Sequence, residues 1–128
     1  MNRIEKEVDW VRRDYPKVEV PPDHLSWILV RDIPLPPGIY NRTVTSILIV
    51  LTPAYPATAP DNFYVEAGLR TMSGEALLNY SDGVQKLDRE WGQFSWHVKD
   101  WRPTADVESG DNLRTFITSA ISRLQEGK

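Results

Sequence analysis

The stretch Thr52-Pro53-Ala54-Tyr55-Pro56-Ala57-Thr58-Ala59-Pro60, running on into Asp61-Asn62-Phe63-Tyr64-Val65, decides the fold. Three prolines fall between positions 53 and 60. Proline has no N–H to give to a strand ladder, so this is an ordered but irregular crossing. It delivers the chain into Asn62–Val65, whose aromatic and β-branched residues predict a strand. Just upstream, Thr43–Leu51 alternates in its first half and is apolar throughout its second, as a strand does when it becomes buried on both faces. Before that, Pro34-Leu35-Pro36-Pro37-Gly38 reads as a rigid turn and Leu25–Ile33 as a strand. Lys17–Val20 is a further short strand, set off by Pro21-Pro22.

Helical periodicity marks the two ends. Ile4, Val8, Val11 and Tyr15 recur at spacings of four, three and four, which predicts a helix of about four turns that Pro16 stops. Leu113, Phe116, Ile117, Ala120, Ile121 and Leu124 form one stripe of a closing helix, with Asp111 as its N-cap after Gly110. Between strand and helix, Glu66–Gln93 shows no period and many turn residues, a length of irregular chain that is uncommon unless functional. The expectation is one α+β domain over residues 1–128. Its order is a helix, an antiparallel meander of about four strands, a long irregular segment and a helix.

Composition removes whole classes of function. A chain of 128 residues suits one domain, and 41% apolar with 26% charged residues is ordinary for a globular protein. Fifteen basic against eighteen acidic residues give a net charge of −3 without a basic run, so no nucleic-acid partner is expected. The longest apolar run, Ile47–Leu51, is too short to cross a bilayer, so no membrane role is expected either. The start, M-N-R-I-E-K-E, has no apolar signal region, which predicts a cytoplasmic protein. There is no cysteine, and so no disulfide, thiolate metal site or thiol nucleophile. The two histidines, His24 and His97, stand in no metal-binding spacing, and His24, in a proline-rich turn, is given no role. The glycines form no phosphate loop. No cofactor or metal is expected.

The element order, with Tyr55–Val65 and Trp101-Arg102-Pro103 ahead of the last helix, resembles the ubiquitin-conjugating-enzyme superfamily. Four pieces in order resemble its bacterial branch, prokaryotic family E: P-L-P-P-G-I-Y-N, Y-P-A-T-A-P-D-N-F, W-G-Q-F-S-W-H-V-K-D-W-R-P and D-N-L-R-T-F-I. They cover the chain from about Trp27 to its end. The resemblance implies a UBC-like fold and a carrier of a ubiquitin-like modifier, taken from an activating enzyme and passed to a substrate amine. It also implies a nucleophile shortly before Trp-x-Pro. That nucleophile is a cysteine in the family, and no thioester can form on this chain. The His-Pro-Asn tripeptide that usually precedes it is missing too, since neither histidine is followed by proline.

The matching window is Gln93–Asp100, in which Ser95 is the only hydroxyl and His97 the only imidazole. A serine needs a base to take its proton, and imidazole suits that task near neutrality. An i, i+2 pair shares a side only in extended chain, because in a helix the two would diverge by about 200°. Two readings are therefore open. Ser95 carries the modifier as an oxyester with His97 as base, oriented by a carboxylate such as Asp100 or Asp106. Alternatively, Ser95 is a turn residue and His97 a structural donor to backbone. Under the first reading Trp96, Asp100 and Trp101 line the channel for the modifier's tail. Trp91 and Trp101 read rather as core packing around the irregular segment, and Arg12 and Arg13 either resemble the place where the family docks its activating enzyme or are a solvated helix end favourable to the dipole. A non-catalytic variant that only binds a ubiquitin-like protein or its activating enzyme is the rival function.

Overall fold

Asn2 opens the first helix, its side chain accepting the Glu5 N–H at 2.9 Å. The computed structural model describes residues 2–22 and 26–128, so His24 and the start expected at Leu25 lie outside the described residues. Helix α1 spans Arg3–Arg12 and buries Glu7, Val8 and Val11. It ends earlier than the periodicity suggests. Tyr15 continues the apolar stripe in a turn, still packed on the core, because a residue before proline is pushed out of the helical region.

The strands are β1 (Val18–Glu19), β2 (Trp27–Pro34), β3 (Val44–Val50), β4 (Phe63–Glu66), β5 (Tyr80–Lys86) and β6 (Arg89–Phe94). They form one antiparallel sheet in the order β1-β2-β3-β4-β6-β5. The expected α+β layout of helix, antiparallel sheet and helix is present, with six strands rather than about four. The two additional strands correct the reading of Glu66–Gln93 as irregular. Leu87 and Asp88, with φ of 51° and 60°, join Lys86 to Arg89 in a two-residue hairpin turn. Such turns favour Asn-Gly or Asp-Gly, and leucine at positive φ gives no signal in the sequence. Polar Asp82, Gln85 and Lys86, with a register shift between Ser81 and Val84, conceal the alternation of this edge strand.

Helix α2 (Leu113–Gln125) closes the fold. Its N-cap is Asn112, not Asp111. The Asn112 side chain accepts the Thr115 N–H at 3.0 Å and the Thr115 hydroxyl accepts the Asn112 N–H at 2.9 Å. Asp111 instead accepts the Arg102 N–H at 2.8 Å and the Thr115 hydroxyl at 3.2 Å, tying the preceding loop to the helix. Leu113, Phe116, Ile117, Ala120 and Leu124 are buried with α1 against one sheet face. Burying each larger side chain contributes about 1.5–3 kcal/mol. Leu29, Leu48, Tyr64 and Trp91 form a second buried cluster, and the Arg89 guanidinium lies 3.6 Å from the centroid of the Trp91 ring. Trp91 is thus a core residue, as one reading of it has it.

Candidate functional site at the end of β6

Strand β6 leads out of the sheet into Ser95-Trp96-His97, and burial alternates as extended chain requires. Ser95 and His97 are exposed, while Trp96 between them turns inward. The Trp96 ring meets Phe63 edge-on at 6.3 Å and donates its indole N–H to Ser119 Oγ of α2 at 3.1 Å. It is therefore held under α2. The window is only partly open: Phe94 is buried, whereas Lys99 and Asp100 are exposed.

The carboxylate that holds His97 is Asp61, not Asp100 or Asp106. Asp61 Oδ1 meets His97 Nδ1 directly. Nδ1–H therefore donates to the carboxylate and Nε2 is left as the proton acceptor, the tautomer a general base needs. Asp61 is 36 residues upstream, at the end of the proline crossing. Periodicity and local spacing could not have found it. The only sequence cue was its place immediately before a strand. Both partners are open to solvent, with side-chain exposures of 69% for His97 and 64% for Asp61. A contact so exposed adds little stability, so its consequence is to orient the ring.

His97, Val98 and Trp101 face the Ala57–Asp61 segment across a cleft of about 530 Å³. Trp101 is fixed there by its indole N–H on the Pro56 carbonyl at 2.8 Å and by the Tyr55 ring at 6.1 Å. Tyr55 in turn donates its hydroxyl to the buried Glu7. Burial, then the Glu7 carboxylate, push the Tyr55 phenol far above its ordinary value. Trp96 and Asp100 are not part of the cleft wall; of the three residues expected there, the structure brings in Trp101 alone. Ser95 does not line it either, and no hydrogen bond joins its side chain to His97 among the described residues. Its backbone N–H donates to Asn79 at 2.8 Å. Arg12 is 3.8 Å from Asp9, and Arg13 lies 4.6 Å from the centroid of the Trp10 ring, both away from the cleft. Among the described residues no three His, Asp or Glu side chains converge as a metal site. No helix among them is long and apolar enough to cross a membrane.

A family model described as prokaryotic E2 family E matches residues 5–126. The chain belongs to that family. No curated protein and no solved structure matches it. In this member of prokaryotic E2 family E, the segment ahead of Trp101 offers a hydroxyl and an oriented imidazole, and no thiol anywhere.

Proposed function

We propose that this chain is a ubiquitin-conjugating-like carrier that takes a ubiquitin-like modifier from an activating enzyme as an oxyester on Ser95 and passes it to an amine. The observation that carries this reading is the Asp61–His97 pair, which leaves an imidazole acceptor two residues from an exposed serine. In the charging step Ser95 Oγ attacks the carbonyl of the activating enzyme's thioester. A C–O bond forms, the C–S bond breaks, and the hydroxyl proton moves to His97 Nε2. In discharge the acceptor amine forms the C–N bond and gives up a proton to His97 Nε2, the C–O bond breaks, and the imidazole returns that proton to Ser95 Oγ. The cleft walled by Trp101 gives the extended tail a place to lie, and Arg12 at the end of α1 with Arg13, its C-cap, supplies a cationic approach for the activating enzyme.

A second reading is favoured by one observation, the absence of a hydrogen bond between Ser95 and His97. On that reading the chain is a binding module for a ubiquitin-like protein or its activating enzyme, without chemistry of its own. Mixing the chain with activating enzyme, modifier and ATP separates the two. A carrier yields an adduct that survives thiol reductant, is cleaved by hydroxylamine and disappears in Ser95→Ala. If no adduct forms while the proteins still associate, the binding module replaces the carrier.

A further inference from the structure

The pairing between β4 and β6 slips at the point where the candidate site begins. Phe63 stands opposite Phe94, so Asn62 in regular register would face Ser95. Asn62 bonds Trp96 instead, one residue further on. Its N–H donates to the Trp96 carbonyl at 2.9 Å and its Oδ1 accepts the Trp96 N–H at 3.2 Å. On the other side of β6, Ser95 keeps the register of β5 through its bond to Asn79. Ser95 is therefore the extra residue of a one-residue slip. Slips of this kind re-aim side chains and recur beside active sites.

Asn62 holds this geometry in a left-handed backbone, φ 62°, which asparagine tolerates better than most residues. Strain retained at one position needs surroundings that fix it, and such positions gather at functional sites. The next residue back is Asp61, which holds the His97 ring. The dipeptide thus grips the window twice, once at the Trp96 backbone and once at the His97 imidazole.

We propose that Asn62 is the positioning residue of the site, its side-chain acceptor fixing the Trp96 backbone at the slip and so the places of Ser95 and His97 on either side of it. The part of this that concerns catalysis rests on the carrier reading above. Two variants test it. Asn62→Gly accepts the positive φ but removes the side-chain acceptor, and Asn62→Asp restores an acceptor for the Trp96 N–H. The ring nitrogens of His97, one of only two histidines, are followed by long-range proton–nitrogen NMR, and adduct formation by gel. In Asn62→Gly the Nδ1–H tautomer gives way to a mixture and adduct formation slows by about tenfold to a hundredfold, the scale of a misplaced reacting group. In Asn62→Asp both return close to native. A native ring spectrum in Asn62→Gly overturns the proposal, and so does an Asn62→Asp chain as damaged as the glycine variant. If the native chain forms no adduct, the carrier reading fails alone, and the ring spectra still decide whether Asn62 positions His97.

Discussion

Two carboxylates, Glu7 and Asp61, show how environment assigns different work to similar groups. Glu7 on α1 is 1% exposed. It accepts the Tyr55 hydroxyl and the Leu113 N–H at the start of α2 (2.7 Å), which join α1 to two distant segments, and Arg3 Nε (2.8 Å) within α1 itself. Asp61 is 64% exposed and has one notable partner, His97. A buried carboxylate is tolerable only when fully bonded, and removing it strands its partners. An exposed one is screened by water, and its value lies in the direction it gives to a ring. Glu7 thus belongs to stability, and on the proposed carrier reading Asp61 belongs to chemistry.

The sharpest attempt to break that division is Glu7→Leu. It leaves the Tyr55 hydroxyl, the Leu113 N–H and Arg3 without their acceptor, and a loss of about 3–5 kcal/mol in urea unfolding is expected. A loss within about 1 kcal/mol would remove Glu7 from the hub. Next in size, His97→Gln keeps a polar side chain but removes the proton acceptor. Adduct formation should fall by about 10²–10⁴, with partial recovery at high pH as hydroxide takes over the proton. Native rates in a folded His97→Gln chain would leave Ser95 to be activated by the partner enzyme. Asp61→Asn sharpens the contrast with Glu7. Its unfolding free energy should stay within about 0.5 kcal/mol of native. Its adduct formation should drop about tenfold to a hundredfold, less than the ~10⁴ seen when a buried triad is given the wrong tautomer.

The smallest effect concerns the acid limb of stability, where carboxylates intermediate between these extremes act. The Arg89 guanidinium hydrogen-bonded to Glu66 holds its carboxyl below the usual range. At Asp82 burial pulls upward, but bonds from the Gly68 N–H, the Tyr80 hydroxyl and Arg70 outweigh it and the carboxyl is also lowered. Groups depressed in the folded state contribute stability above their unfolded pKa and lose it as pH falls through the folded one. Urea unfolding should therefore show stability declining on the acid side, with a shallower decline in Asp82→Asn and Glu66→Gln. An unchanged slope in both variants would mean that neither carboxylate contributes to it.

Much of this was legible in one dimension. The crossing after β3, the strands on either side of it and the stripe of α2 follow from proline's missing donor and from the periods of strand and helix. What failed to show is equally physical. The β5–β6 hairpin has a leucine where turns favour glycine, and its edge strand is polar on both sides, so no alternation survived to be read. Asp111 and Asn112 are both good caps, and only the bond to Thr115 distinguishes them.

The sequence alone determined that no thiol chemistry is possible, that two histidines are present, and that Ser95 and His97 would share a side if the chain ran extended through them. These follow from composition and from the two-residue period of extended backbone. Tertiary structure decided which carboxylate meets His97, which aromatic walls the cleft and where the register slips, because each depends on segments far apart in the chain. Asp61 and Asn62 reach Trp96 and His97 only when β4 pairs with β6, and spacing along the chain carries no trace of a partner that the sheet supplies.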